Sequence, residues 1–344
     1  MYKRQQYYSS RQVLNLLVLT LSACQDPNTG LESGDSSPLA AATSNTWQKR
    51  IQMPTDRRWV MTATVEPASG GSFLYAIGGQ SMNATQVCSG SLSKMQAYDG
   101  NTNRWTTKAP LPQPTHRGLV GVVNGRVYVV GGCRESDRIW EYEIATNQWR
   151  VRTSAPLSLP DPVGSVVSGK LYLFDECSWD ACLMDPNNHN GREHWTFFGY
   201  YDPATDHWTR LPLPPAGVWP IAAATFTGSL YFLGREGHVN IYTPATGPWS
   251  TGARRGNQSL GWVTTAVVRG KWYVVGRESD SGANFLSVYD PASNSWVQRA
   301  NPPAAYVSDF FRNGPSAGRV WANGIARLEL VGGSRPENNF QYTP

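Results

Sequence analysis

Residues 201–208 read Tyr-Asp-Pro-Ala-Thr-Asp-His-Trp, and the same frame, a Tyr followed seven residues later by a Trp, occurs five times in the chain. The five pairs are Tyr98/Trp105, Tyr142/Trp149, Tyr201/Trp208, Tyr242/Trp249 and Tyr289/Trp296. Turn-forming residues separate the two aromatics, for example Asp202-Pro203 in the quoted stretch. Because Pro presets the first central position of a β-turn and Asp, Asn or Gly tolerates the next, each frame predicts a tight hairpin. Five hairpins of one spacing predict a repeat architecture.

Continuous apolar runs of strand length precede each hairpin, at residues 73–77, 127–130, 171–174, 230–233 and 272–275. Such runs are typical of strands that are covered on both faces. A further short apolar segment lies upstream of most of them, for example residues 118–123 and 264–268. Each unit therefore contains four predicted strands.

The two ends of the chain complete one another. After Trp296 three strands can be placed, including residues 319–321 and 326–331, and the missing fourth lies near Trp47. We therefore predict an all-β fold, a six-bladed β-propeller whose last blade is closed by the N-terminal strand, since ring closure removes free sheet edges. The repeated aromatics are expected to pack between blades as structural residues.

The glycines at the ends of the second strands complete a known pattern. Gly78-Gly79 and Gly131-Gly132 are diglycines, Gly234 and Gly276 are single, and the third unit has none. Together with the Tyr/Trp frames, residues 46–333 resemble the kelch-repeat family. Some enzymes have this fold, among them copper-radical galactose oxidases and N-acetylneuraminate epimerase, a sialic-acid mutarotase. The resemblance therefore implies a propeller that binds a ligand or partner, or a carbohydrate-active enzyme.

The N-terminus has a basic segment and then eleven mostly apolar residues, 13–23, too few to span a bilayer. Its end, Leu21-Ser22-Ala23-Cys24, resembles the lipobox of bacterial lipoproteins, which implies lipidation of Cys24, and Gln25 in place of Asp implies the outer membrane. Cleavage near Ala23 as an ordinary secretory signal is the alternative. The remaining 27 basic and 25 acidic residues provide no surface charge for nucleic acid.

These features divide the chain into a signal peptide (1–23), a flexible tether (24–45), the propeller (46–333) and a C-terminal tail (334–344). Export to an oxidising compartment favours disulfides between the other four cysteines. Cys177 and Cys182 lie in one loop, and Cys88 and Cys133 lie at similar positions of neighbouring repeats, so we pair them accordingly. A zinc site is the competing interpretation, but the spacing lacks a second close cysteine pair. No metal and no cofactor is predicted.

Charged pairs directly follow the second strands, where strand ends converge on the propeller axis. They are Arg134-Glu135, Asp175-Glu176, Arg235-Glu236 and Arg277-Glu278. Arg117, Trp219 and Trp262 come from loops on the same face. These residues form either a pocket in which arginines bind a carboxylate and glutamates bind hydroxyls, or a ring of mutually neutralising ions. The insertion at residues 175–198 lies on this face too.

The function that this pattern favours is non-catalytic. We expect a monomeric binding propeller in the bacterial envelope, attached to the membrane only through its lipid, with a carbohydrate or protein ligand at the channel mouth. The chain has no nucleophile elbow, no His-Glu-x-x-His motif and no phosphate-binding loop. The alternative is a sugar epimerase or mutarotase, in which Glu135, Glu176, Glu236 or Glu278 would transfer the proton if burial raised its pKa.

Overall fold

The computed structural model of the protein describes eight stretches of chain, residues 44–67, 71–86, 88–133, 136–176, 196–215, 218–303, 316–333 and 339–344. They contain 26 strands, and none of them contains a helix. Within these stretches no helical segment could cross a membrane. The predicted signal peptide, the lipidation site Cys24 and the pair Cys177/Cys182 lie outside the described residues, as do Arg134 and Glu135.

Six antiparallel sheets of four strands each form the fold. Blade one comprises β3 (Met61–Val65), β4 (Phe73–Ile77), β6 (Met95–Asp99) and β7 (Arg104–Lys108). Blade two comprises β8 (Leu119–Val123), β9 (Arg126–Val130), β10 (Ile139–Glu143) and β11 (Gln148–Val151). Blade three comprises β12 (Val163–Val167), β13 (Lys170–Glu176), β14 (Thr196–Asp202) and β15 (His207–Arg210).

The second half of the chain repeats the arrangement. Blade four comprises β16 (Pro220–Phe226), β17 (Ser229–Gly234), β18 (Val239–Tyr242) and β19 (Trp249–Gly252). Blade five comprises β20 (Leu260–Val268), β21 (Lys271–Glu278), β22 (Asn284–Asp290) and β23 (Ser295–Gln298). Blade six comprises β24 (Ser316–Ala322), β25 (Ile325–Val331), β26 (Asn339–Thr343) and β1 (Thr46–Lys49). A two-stranded ribbon pairs β2 (Arg57–Arg58) with β5 (Gln80–Ser81).

The ring closes as the sequence predicts. The first strand of each blade contacts the first strands of both neighbours, so blade six packs against blade one as well as blade five. The N-terminal β1 pairs with β26, with Trp47 opposite Tyr342. The two chain ends thus build the same Tyr/Trp pair that a hairpin supplies in the other blades, and the predicted six-bladed propeller with N-terminal closure is confirmed.

One boundary differs from the prediction. We placed the end of the propeller at residue 333 and a tail beyond it, whereas Asn339–Thr343 form the third strand of blade six. This strand lacks the Tyr/Trp spacing of a hairpin because its aromatic partner, Trp47, comes from the other end of the chain.

A repeated hydrogen-bond unit, here called the inter-blade lock, joins the two outer strands of a blade to the preceding blade in five of the six blades, and blade four is the exception. In blade six the Tyr342 hydroxyl and the Ala300 N–H both donate to Asn45 Oδ1, at 2.7 and 3.0 Å, and Trp47 Nε1 donates to the Ala300 carbonyl at 2.8 Å. The acceptor has a positive φ in every lock, which Asn and Asp tolerate better than other non-glycine residues. These acceptors, each two residues before the Trp, are Asn45, Asn103, Asn147, Asp206 and Asn294.

The hydrophobic core lies between adjacent blades. One cluster joins Met61 and Tyr75 of blade one to Val129, Trp140 and Tyr142 of blade two, all fully or almost fully buried. Because the faces of successive sheets are apolar, each blade is stabilised by burial against its neighbours.

Candidate functional site

A central channel of about 1080 Å³ runs along the inner strands of the ring. Its wall is made by the first strands of the blades, in particular β3, β8, β12, β16 and β20. Small and hydroxylated side chains line it, and some hydroxyls join neighbouring strands: Thr62 Oγ1 donates to the Ala317 carbonyl at 2.7 Å. A cavity of this size could accommodate a small ligand.

At one end of the channel lie five side chains that we call the mouth cluster: Trp59, Arg117, Asp161, Asp175 and Trp262. The Arg117 guanidinium is 5.5 Å from the ring centroid of Trp59 and 5.2 Å from that of Trp262. Its Nη2 forms an ion pair with Asp161. The two indoles meet edge to face, with centroids 4.6 Å apart. Cation–π contacts with these two adjoining indoles, together with the ion pair, hold the guanidinium in one orientation at the cavity wall.

The backbone at this cluster is unusual. Trp59 and Arg117 have φ values of 55° and 65°, in the left-handed region that bulky side chains rarely adopt. Such conformations cost about 1–3 kcal/mol each and concentrate at functional sites. The surrounding structure therefore maintains these two residues against their local backbone preference.

A disulfide supports the segment that carries Arg117. Cys88 and Cys133 are bonded, with Cα atoms 5.2 Å apart, which confirms this predicted pair. The Cys133 N–H donates to the His116 carbonyl at 2.9 Å, and Thr115 Oγ1 donates to the Cys133 carbonyl at 2.8 Å. The cross-link ties Cys133, at the end of β9, to Cys88 of blade one, and these hydrogen bonds join Cys133 to the loop preceding Arg117.

Asp175 is the buried acid of the mouth cluster. Its side chain is about 1% exposed, and its Oδ2 accepts the Asp161 N–H at 3.2 Å. No described residue donates to Oδ1. Burial and, secondarily, the charge of Asp161 raise the pKa of Asp175 well above its ordinary value. The arrangement favours a protonated carboxyl, which can donate a hydrogen bond or a proton.

The structure brings together five of the residues that the sequence singled out. Arg117, Asp175, Glu176, Arg235 and Trp262 all line the channel. Convergence of the second-strand ends on the axis explains three of them, since Asp175 and Glu176 end β13 and Arg235 directly follows β17.

Four other predicted residues are not among those that line the channel. Arg277 Nε donates to the Gly282 carbonyl, Glu278 pairs with Arg255, and Glu236 accepts from Ser259. Trp219 is 56% exposed. Glu236 and Glu278 therefore interact with nearby side chains, as the hypothesis of mutually neutralising ions expects, and do not face a ligand pocket at the mouth.

Two members of the cluster, Trp59 and Asp161, were missed by sequence reasoning. Both lie in loops between blades, outside the repeated frames. A signal existed for each: Trp59 follows Arg57-Arg58 outside any Tyr/Trp frame, and Asp161 stands between two prolines in a short loop. The described residues contain no group of three or more His, Cys, Asp or Glu that could hold a metal ion.

Comparisons with known proteins agree with the architecture. The family of the kelch motif matches residues 114–156, which span blade two and the loop before it. The chain is 33% identical over 104 residues to an F-box/kelch-repeat protein of Arabidopsis thaliana and 28% identical over 227 residues to Kelch-like protein terF of Aspergillus terreus. These alignments cover 30% and 61% of this chain, and it spans 29% and 50% of the two relatives.

A shorter match and a solved structure complete the comparison. Kelch-like ECH-associated protein 1A of Danio rerio is 44% identical over 64 residues, 18% of this chain and 10% of that protein. The solved structure of YjhT superposes with a TM-score of 0.61 at 14% identity, covering 84% of this chain and 94% of that one. At this identity the superposition concerns the fold alone.

Proposed function

Because this chain is a kelch-repeat β-propeller, we propose that it is a non-catalytic binding module that holds an acidic, hydroxyl-rich ligand such as a sugar acid at its channel mouth. The observation that carries the proposal is the Arg117 guanidinium, held against the adjoining indoles of Trp59 and Trp262 beside a cavity of about 1080 Å³. The fold admits other functions, so the argument depends on the site.

The indoles of the mouth cluster provide the apolar part of the site. Trp59 and Trp262 are half-buried and line the cavity, so each offers part of a ring to a ligand. Sugar rings combine an apolar face of C–H groups with a polar edge, and an aromatic surface next to hydrogen-bond donors matches both. Arg117 supplies a cation at the same place.

A second cation strengthens the preference for an anion. Arg235 lines the cavity and is exposed, and no described residue forms an ion pair with its side chain. A guanidinium binds a carboxylate through two parallel hydrogen bonds. Burial raises the pKa of Asp175 and so favours its protonated form, which would add a neutral donor for an anionic ligand.

The test is isothermal titration of the protein with glucuronate, N-acetylneuraminate and glucose. We expect saturable binding of an acidic sugar, weakened at least about tenfold by Trp262→Ala and by Arg235→Gln, since a charged hydrogen bond contributes about 1.5–3 kcal/mol. Glu236→Gln is the matched control, because Glu236 is adjacent in sequence but does not line the channel. Failure of both acidic sugars to bind would rule out this ligand class, and binding that Trp262→Ala leaves unchanged would place the site elsewhere.

A sugar mutarotase remains the second candidate because of Asp175. A buried carboxyl with a raised pKa, one oxygen of which no described residue binds, is suited to give and take a proton during ring opening. Among the glutamates proposed from the sequence, Glu176 lines the channel while Glu236 and Glu278 do not. Among the described residues, the acid–base pair of such an enzyme would therefore be Asp175 and Glu176. Glu135, also proposed from the sequence, lies outside the described residues.

Anomer exchange followed by proton NMR separates the two candidates. A mutarotase accelerates exchange of N-acetylneuraminate or glucuronate, and Asp175→Asn or Glu176→Gln abolishes the acceleration while Glu278→Gln preserves it. A binding module shows the same exchange rate as buffer, with ligand bound.

We also propose that the protein is displayed in the cell envelope as a lipoprotein anchored at Cys24. The Cys88–Cys133 disulfide supports this, because such bonds persist in oxidising compartments. Metabolic labelling with a fatty acid should mark the wild-type protein and leave Cys24→Ser unlabelled. Equal labelling of both would contradict the anchor.

A further inference from the structure

Blade one contains a buried arginine whose guanidinium is held by backbone carbonyls, an amide oxygen and the Met53 sulfur, with no carboxylate among these partners. Arg57 has no exposed surface, and its Nη1 donates to the carbonyls of Gly78 and Lys94 at 2.6 and 2.5 Å. Its Nη2 donates to Ala76 O at 3.1 Å and to Gln96 Oε1 at 3.0 Å. Gln96 is the third-strand residue two positions before the Tyr of the frame. A propeller blade can therefore hold a guanidinium without a carboxylate.

Blade five repeats the arrangement with different side chains. Arg255 is 7% exposed, and its Nε donates to Ser287 Oγ at 2.9 Å. Ser287 also lies two positions before its Tyr. The guanidinium carbon lies 3.7 Å from the ring centroid of Phe285, two residues further back, and Arg255 also contacts Glu278.

Blade four has the corresponding acceptor position but no arginine. Asn240 stands two residues before Tyr242, and His238 stands where blade five has Phe285. The equivalence is structural too, since Gly234 N donates to His238 O as Gly78 N donates to Lys94 O. The loop that enters the blade, residues 211–219, reads Leu-Pro-Leu-Pro-Pro-Ala-Gly-Val-Trp and contains neither Arg nor Lys.

A cavity of about 360 Å³ lies at this position. Asn240 is half-buried, whereas Gln96 and Ser287 are about 4% and 3% exposed. No hydrogen bond joins the Asn240 side chain to another described residue, and none joins the Trp249 indole N–H to one. The residues around the cavity are Pro215, Val218, His238, Asn240, Trp249, Ser250 and Thr251.

We propose that this cavity at the entry to blade four binds an arginine side chain of a protein partner. The guanidinium would occupy the place that Arg57 and Arg255 fill in their own blades. Asn240 Oδ1 would accept its hydrogen bond, and the His238 ring would lie in the place of the Phe285 ring.

The surroundings of the cavity favour a protein over a free amino acid. Leu213 and Trp219, in the same loop as Pro215 and Val218, are 48% and 56% exposed. Large exposed apolar side chains next to a polar cavity are typical of protein-interaction surfaces. An arginine anchored in the cavity would place its flanking residues against them.

The experiment is a titration of the full protein with the capped tripeptide acetyl-Gly-Arg-Gly-amide, followed by saturation-transfer NMR and calorimetry. The lysine tripeptide is the matched ligand control, because an ammonium lacks the planar fork of the guanidinium. We expect the arginine peptide to bind at least about fivefold more tightly. A longer peptide with Leu or Trp beside the arginine should bind better still, and free L-arginine more weakly.

Three variants of Asn240 test the position itself. Asn240→Trp should abolish binding by filling the cavity, as Trp140 fills the equivalent position of blade two. Asn240→Leu should weaken binding about tenfold by removing the acceptor. Asn240→Ser should retain binding, because Ser287 serves blade five.

Trp262→Ala distinguishes this site from the channel mouth. It should leave arginine-peptide binding unchanged, so this proposal can stand or fall independently of the proposed function. Equal affinity for the lysine peptide, tighter binding of free arginine, unchanged binding by both Asn240→Trp and Asn240→Leu, or no binding at all would each overturn the proposal.

Discussion

The junction between blades five and six and the junction between blades three and four are the same repeat position with different outcomes. At the first, Asn45 accepts hydrogen bonds from the Tyr342 hydroxyl and from the Ala300 N–H, although the blade is assembled from both ends of the chain. At the second, Gly247 replaces the acceptor and Pro212 stands where Ala300 supplies its N–H.

The two changes are matched, because proline has no N–H to donate. Residue 247 has no side-chain acceptor and residue 212 has no N–H donor, so both partners of the lock are absent at this junction. The cavity proposed to bind arginine lies at this same junction, beside Trp249. The comparison indicates that the regular locks stabilise the ring. It also indicates that candidate binding sites lie where the repeat is interrupted.

The largest expected effect comes from removing the closing strand. A chain that starts at residue 51 lacks β1, and with it the Trp47 packing and the pairing with β26. We expect a loss of about 5 kcal/mol or more in unfolding free energy, from a half-buried aromatic and several backbone hydrogen bonds. Urea denaturation against a chain that starts at residue 44 measures the difference. Equal stability of the two chains would contradict closure by β1.

Glycines at the ends of second strands extend the comparison to blades one and four. A Cβ on Gly78, which has a φ of 60°, would lie 2.3 Å from the Thr115 carbonyl oxygen, so Gly78→Ala should cost about 2–4 kcal/mol. On Gly234 the nearest atom would be 3.6 Å away, and Gly234→Ala should change stability by less than about 0.5 kcal/mol. Thermal unfolding of both variants tests the contrast, and equal losses would show that blade four is packed as closely as blade one.

Blade six also buries a carboxyl, which makes its stability depend on pH. Burial raises the pKa of Glu329 to about 8, although Gln341 Nε2 donates to it at 2.8 Å. The folded protein therefore keeps this proton to about pH 8, whereas the unfolded chain releases it near the ordinary value of 4.5. The stability that the group contributes is complete below that value and is lost as the pH rises through 8.

Between pH 6 and 8 the unfolding free energy of the wild-type protein should therefore fall by on the order of 2 kcal/mol relative to that of Glu329→Gln, because the glutamine side chain does not titrate. Denaturation of both proteins at several pH values gives the difference. A constant difference across this range would mean that Glu329 does not change its protonation there.

The sequence predicted the parts of the fold that repeat. Constant Tyr/Trp spacing located the hairpins, and Trp47 without a preceding Tyr revealed the closure. The end of blade six was placed too early because β26 pairs with a strand almost 300 residues away, so no local spacing marks it. The lock acceptors, always two residues before the Trp, were detectable in the sequence and were overlooked.

The candidate site could be predicted only in part, because it depends on contacts that do not repeat. Arg117, Arg235 and Trp262 were found from their loop positions, but the ion pair of Arg117 with Asp161 joins loops of different blades. Glu278 was misplaced because its partner Arg255 lies 23 residues earlier, in the loop before β20, whereas Glu278 ends β21. Side-chain partners such as these decide which charges face a channel, and strand periodicity does not encode them.

The smallest effect, and the most specific, concerns the missing lock itself. Gly247→Asn alone should change stability little, because only the Tyr242 hydroxyl could donate to the new acceptor. Pro212→Ala alone should also change it little or reduce it, because the restored N–H would lack an acceptor. Together they should recreate the lock, with a favourable coupling of about 0.5–1.5 kcal/mol in a double-mutant cycle.

The same cycle at an intact junction provides the control. Asn147 accepts from the Tyr142 hydroxyl and the Ala109 N–H, so Asn147→Gly and Ala109→Pro should each destabilise, and the double variant should lose less than the sum. Additive effects at both junctions would mean that the acceptor and the N–H act independently. Coupling at both junctions would show that the side-chain acceptor and the N–H stabilise a junction only when both are present. The absence of both from blade four would then be a single, linked difference.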